Sequence, residues 1–192
     1  MIATPALTQD WADADLPVYL KFCEDMCIED VTVPATCWAN ESDNRTTAWN
    51  KNGNASGLCQ LMPGTARAIG YDVAADPTLS AYRALSVSDQ LDWVSKYYSP
   101  HAGSVATVAR FYLCTFMPAL LSHGDDMGYV ICALGGVYSW AYAANKGFDT
   151  ANKGSITVQD LVDAASRAVG PRTRELIARI QASVSGAGAT DA

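Results

Sequence analysis

Leu16, Tyr19, Leu20, Cys23, Met26 and Cys27 recur at steps of three and four, with Lys21, Glu24 and Asp25 left outside the stripe. That is the spacing of one apolar face, and it predicts a helix over 16–28. Pro34 suits the first turn of a second helix, in which Ala35, Cys37, Trp38 and Ala39 precede a return to polarity at Asn40 and an end near Glu41 and Ser42. Residues 43–57 concentrate turn formers, among them Asn44, Asn50, Asn52, Gly53 and Asn54, and predict a polar loop. Pro63 and Gly64 open a short helix that Gly70 closes, and Val87, Leu91, Val94 and Tyr98 share one face of a helix over 87–98. Two long, almost charge-free segments, 105–121 and 129–144, are expected as central buried helices. Two further stripes, Val158 to Val169 and Leu176 to Val184, are separated by Gly170 and Pro171. No strand series stands out. The chain therefore reads as mainly α, one domain over 14–184, with an N-terminal extension at 1–13 and a mobile tail at 185–192.

Composition narrows the function. The 192 residues are 49% hydrophobic and only 17% charged, with a net charge of −7, and mean hydropathy is +0.03. An acidic chain repels phosphate backbones, which argues against nucleic acid as a partner and directs attention to a shaped pocket. The segments 105–121 and 129–144 are interrupted by Arg110, Pro118, Gly135 and Gly136, so stable membrane insertion is not expected. Residues 1–17 carry Asp10, Asp13 and Asp15 but no Lys, Arg or long apolar run, so no secretory signal is expected there. Cys23, Cys27, Cys37, Cys59, Cys114 and Cys132 could form disulfides in many pairings, but buried free thiols are the leading expectation. A metal is not: neither His101 nor His123 stands in a zinc pattern with the cysteines, and the calcium-loop-like run from Asp149 to Asp160 has Ala151 and Lys153 at two ligand positions. Thr157 is instead expected to cap the following helix. No cofactor is called for.

The chemistry concentrates in residues 37–66, CWANESDNRTTAWNKNGNASGLCQLMPGTA. Here a carboxylate ends an apolar helix, a polar loop follows, and a Gly-Leu-Cys-Gln turn closes the segment. On a helix Glu41 lies near Cys37 and Trp38, and partial burial there would raise its pKa and make it a general acid at neutral pH. On pattern alone, the plainer reading of Glu41 is a helix-terminal carboxylate in solvent.

Glu41-Ser42 followed by Gly57-Leu58-Cys59-Gln60-Leu61-Met62-Pro63-Gly64-Thr65-Ala66 resembles the catalytic core of the soluble lytic transglycosylases. The resemblance implies a lysozyme-like fold of the goose-type lysozyme kind. It also implies cleavage of the β-1,4 bond between N-acetylmuramic acid and N-acetylglucosamine in peptidoglycan. Glu41 would be the single acid/base, Ser42 would support the substrate or orient that carboxylate, and the product would be a 1,6-anhydromuramyl end. Gly57 would let backbone approach the sugar, Gln60 would hydrogen bond to it, and Leu58 and Met62 would wall the groove or pack in the core. Cys59 stands where the family often has Met. A third signature of the family, Ala-Tyr-Asn-x-Gly, has two candidates here: Tyr112, with Leu113 where Asn is expected, and Tyr142 with Asn145, displaced along the chain. FYLCTFMP at 111–118 and the later NKGFD resemble phage-associated members.

The expected partner is thus the peptidoglycan glycan strand at the bacterial cell wall, with other virion or tail proteins as companions if the chain is carried in a particle or released by a phage lysis route. Two alternatives stand beside this reading. One is a lysozyme-type hydrolase in which Asp43, Asp72 or Asp76 activates water. The other is a non-catalytic virion or tail component with the same fold.

Overall fold

The computed structural model describes residues 10–187, which form a mainly helical assembly. The helices are α1 (Asp15–Asp25), α2 (Val33–Ser42), α3 (Pro63–Ala68), α4 (Ser80–Arg83), α5 (Val87–Tyr98), α6 (Val108–Phe116), α7 (Ser139–Ala144), α8 (Val158–Ala168) and α9 (Pro171–Ala187). Two small antiparallel strand pairs interrupt them: β1 (Trp49–Asn50) and β2 (Ala55–Ser56) form a hairpin, and β3 (Val130–Ala133) pairs with β4 (Ser155–Thr157) across the intervening α7.

Helix α2 sits in the middle, packed against α6, α8 and α9. Its Val33, Ala35, Cys37, Trp38 and Ala39 are all buried, so apolar positions surround it rather than lining one stripe, as expected of an enclosed helix. Around it lies an aromatic cluster. Trp38 is within 5.8 Å of Phe22 and 5.9 Å of Phe111, and Phe111 stacks on Tyr98 at 4.5 Å. Offset and edge-on contacts of this kind add about 0.5–1.5 kcal/mol per pair beyond area burial.

The helix starts follow local chemistry. Ser86 accepts from the Asp89 amide at the head of α5, and Thr157 with Asp160 forms a complete capping box on α8. Asp15, the first residue of α1, accepts from the Ala12 and Ser88 amides and so ties α1 to α5.

Several expectations are corrected. Segment 105–121 is not one helix, because α6 stops at Phe116 and Pro118 opens a 3-10 turn over Pro118–His123. Segment 129–144 is not a buried helix either. It begins as β3, turns at Gly135 and Gly136, and ends in the short α7, leaving Leu134 and Val137 each 76% exposed and Trp140 70% exposed. Among the described residues no helix is long and apolar enough to cross a membrane. The expected N-terminal extension is packed where it is described: the buried Trp11 donates to the Asn44 carbonyl at 2.8 Å and Asp13 pairs with Arg179. The tail begins later than expected, since α9 continues through Ala187, and residues 188–192 lie outside the described residues, as do 1–9. All six cysteines are free, five of them buried and Cys27 exposed.

Candidate active site

Glu41 occupies the last turn of the central helix, where two successive left-handed residues, Asp43 (φ 53°) and Asn44 (φ 57°), end α2 abruptly. Asn and Asp tolerate that conformation better than other side chains. Asn44 is fully buried; its amide donates to the Ala35 carbonyl and to Thr173 Oγ1 of α9, both at 3.0 Å. The turn that presents Glu41 is therefore anchored from the far end of the chain.

The other wall is the turn Gly57-Leu58-Cys59-Gln60, closed by mutual backbone bonds between Ser56 and Leu61 at 2.8 and 3.0 Å. Two contacts fix it. Ser42 Oγ donates to the Leu58 carbonyl at 2.8 Å, joining the turn to the end of α2. The buried Gln90 of α5 accepts from the Leu58 amide at 3.1 Å and donates to the carbonyls of Thr46 and Tyr82 at 3.0 and 2.9 Å. One side-chain amide thus holds three segments of backbone in register.

Between these walls lies a groove. One cavity of about 540 Å³ is lined by Asn40, Glu41, Ser42, Asp43, Trp49 and Gln60, among others. A second, of about 340 Å³, shares Asn40, Glu41 and Gln60 with it and adds Met62, Asn145 and Phe148. A third, of about 510 Å³, shares Asn40, Asn145 and Phe148 with the second and extends to Arg167 of α8.

Glu41 is partly buried within this groove. Loss of solvent pushes its carboxyl up from 4.5 to about 7, against a hydrogen bond from Tyr112 that lowers it. Tyr112 is itself fully buried and receives a hydrogen bond from the Asn40 amide, so the chain of donors runs Asn40 to Tyr112 to Glu41. Burial, and then the Glu41 carboxylate, push the neighbouring Cys59 thiol up to about 12, which leaves it protonated and unsuited to nucleophilic work.

The residues named from the sequence are dispersed among several roles. Glu41, Ser42, Gln60, Met62, Tyr112 and Asn145 converge on the groove or its immediate support. Leu58 does not line it: its side chain is fully buried in the core. Gly57 is required by packing rather than by an approaching ligand. It has φ +73°, and a Cβ there would lie 2.5 Å from Gln90 Oε1 and 2.6 Å from Tyr82. Tyr142 is turned away, donating to Asp149 at 3.0 Å. Of the aspartates considered as a second carboxylate, Asp76 is consumed by the Tyr71 hydroxyl and the Ser80 and Tyr82 amides, and Asp72 accepts from the Ala75 amide. Asp43 alone of the three lines the groove, held by Arg45 at 3.1 Å and Arg172 at 3.5 Å. In the Asp149–Asp160 loop, the Lys153 ammonium sits on both Asp160 oxygens at 2.7 and 2.9 Å, so the cation there is the chain's own.

Sequence reasoning missed Asn40, Trp49 and Phe148. Asn40 adjoins Glu41 and was visible as the first polar residue of the helix end. Trp49, 43% exposed on β1, carries the Arg83 guanidinium over its ring at 4.6 Å, and an exposed Trp within an Asn-rich loop was the available signal. Phe148, from the 3-10 turn at Lys146–Phe148, lies within the NKGFD run, which was the available signal. Compared with known family models, curated proteins and solved structures, the chain matches none.

Proposed function

We propose that this chain is a peptidoglycan lytic transglycosylase with a lysozyme-like fold, cleaving the bond between N-acetylmuramic acid and N-acetylglucosamine. The observation that carries the reading is a carboxyl raised to about 7 within an open groove and held by a buried tyrosine hydroxyl. Such a group keeps its proton near neutrality and can give it to a leaving oxygen.

Glu41 protonates the glycosidic oxygen as the bond from C1 of the muramic acid breaks. The acetamido carbonyl oxygen of that same sugar closes on C1 and carries the positive charge. Glu41, now a carboxylate accepting from Tyr112, removes the proton of the 6-hydroxyl. O6 then displaces the acetamido oxygen from C1, giving a 1,6-anhydro sugar and a reprotonated Glu41 with no water consumed. Asn40, Asn50, Gln60 and Asn145 surround the groove with amides suited to the hydroxyls and acetamides of such a strand. The place of action is the bacterial cell wall, reached from a virion or by a phage lysis route.

A second reading rests on Asp43. Because it shares the cavity with Glu41, it could activate water, and the enzyme would then be a hydrolase. Mass spectrometry of soluble fragments released from purified peptidoglycan separates the two. Anhydromuramyl ends that vanish in Glu41→Gln are expected. Hydrated reducing ends would shift the assignment to hydrolysis, and no release by the wild type would overturn the enzymatic reading in favour of a wall-binding or structural component.

A further inference from the structure

We propose that the apolar turn between β3 and α7, residues 134–140, is a docking surface for a lipid bilayer, seated at the level where headgroups meet acyl chains. The site lies apart from the Glu41 chemistry and stands whether or not the chain cleaves glycan.

Leu134 and Val137 are each 76% exposed and Trp140 is 70% exposed, so these side chains project from the body of the protein. Val130 and Tyr138 continue the apolar patch toward β3. Gly135 at φ +72° and Tyr138 at φ 57° reverse the chain on either side of Val137. At the base of the turn, β3, Val137 and Tyr138 line a cavity of about 340 Å³ that holds no charged residue, which leaves room for the end of an acyl chain. The turn also closes hydrogen bonds of its own: the Leu134 amide donates to the Gly154 carbonyl, Gly136 to Ala133 and Ser139 to Gly136, at 2.8 to 3.2 Å. Backbone groups already paired in this way lose little on leaving water.

Charge and size favour lipid as the occupant. From Met127 to Asn145 no residue carries a charge, so the turn enters a medium of low dielectric without desolvating an ion. Tyr138 and Trp140 have the amphipathic rings that settle at a bilayer interface, and Leu134 and Val137 supply aliphatic contact. A second copy of the chain is the competing occupant, but a stable protein interface draws on about 20–30 residues a side, and this patch is a single turn. With a net charge of −7 the chain gains nothing from anionic headgroups, so apolar contact has to carry the binding. Among the described residues no helix is long and apolar enough to span, so the turn lies on the bilayer. Asn145, at the far end of α7, lines the groove, and a docked turn therefore holds that groove about one short helix from the membrane.

The test sediments the full chain with vesicles of phosphatidylcholine, alone and with added phosphatidylglycerol, at low and high salt. Wild type is compared with Trp140→Phe and with a double variant, Leu134→Ser with Val137→Ser, each checked for folding by circular dichroism. The wild type is expected to bind the zwitterionic vesicles with little dependence on salt, and to lose tryptophan fluorescence when the acyl chains carry bromine. Trp140→Phe should still bind and lose most of that quenching. The double variant should bind at least about tenfold more weakly, because two aliphatic side chains no longer gain by leaving water. A wild type that stays in the supernatant, binding unchanged in the double variant, or quenching that survives Trp140→Phe would each overturn the proposal. So would binding that needs phosphatidylglycerol and vanishes in salt. Analytical ultracentrifugation without lipid covers the other occupant: a monomer is expected, and a dimer that the double variant dissolves would assign the turn to a second copy instead.

Discussion

Replacing Glu41 by Gln should abolish cleavage and, in the same stroke, stabilise the protein in a pH-dependent way. The unfolded chain ionises Glu41 near 4.5 whereas the fold holds its proton up to about 7. Between those values the native state binds more protons than the unfolded one, so the wild type loses stability as pH rises through the window, with the full loss present above it. Each pH unit of that separation is about 1.4 kcal/mol, and the whole is at most about 3.5 kcal/mol. Because the carboxyl borders an open groove, water screens part of the penalty, and about 1–3 kcal/mol is the working range. Gln has the same shape and never ionises. Urea unfolding of both proteins at pH 4 and pH 8 measures the effect, read as the change in their difference so that any constant offset from the altered Tyr112 contact cancels. The variant should gain about 1–3 kcal/mol relative to wild type between the two conditions. A difference that does not vary with pH would refute the claim that burial keeps Glu41 protonated, and the assignment of Glu41 as the acid would lose its physical support. Wild-type cleavage should correspondingly decline as pH rises through about 7.

Tyr112→Phe removes the hydrogen bond that favours the Glu41 carboxylate, so the alkaline limb of the pH–rate profile should move upward from about 7 while the rate falls, and a downward move would contradict the assigned direction. Gln90→Leu strands the Leu58 amide and the Thr46 and Tyr82 carbonyls; a loss of about 3 kcal/mol in urea unfolding is expected, and a loss under about 1 kcal/mol would mean that the brace is dispensable. Gly57→Ala combines a left-handed φ with a close approach to Gln90 and Tyr82, and should lower stability by about 2 kcal/mol or more; a neutral effect in thermal unfolding would return the glycine to a ligand-facing role.

Legibility along the chain followed the range of the interactions involved. Helices α1, α5 and α8 announce themselves through apolar stripes and local caps such as Thr157 with Asp160, whose partners are three residues apart. Segment 129–144 misled because its apolar run has no period and its fate depends on pairing with Ser155–Thr157. Glycines in the middle then turned it outward instead of letting it continue as a helix. The β1–β2 hairpin, with strands of two residues each, is too short to show in any pattern. At the candidate site, Glu41, Gln60 and Met62 could be named because they fall in one contiguous stretch. What holds them in place could not. Gln90 reaches Leu58 from 32 positions away, and Thr173 supports Asn44 from 129 away. The opposite error was to give Gly57 to the ligand, and of the two roles open to Leu58 the core one holds, because a motif's residues are shared between chemistry and the packing that supports it.

No sulfur–sulfur bond staples the described fold: Cys23, Cys37, Cys59, Cys114 and Cys132 lie reduced in the interior and Cys27 reduced at the surface. Such a polypeptide is topologically a plain thread. It can be drawn out end to end and wind up again with nothing to cleave beforehand and nothing to re-oxidise afterwards, steps that take seconds to hours where they are needed. Its recovery depends on the aromatic cluster around Trp38 coming together, a matter of water and packing, with the six thiols kept reduced while they are exposed.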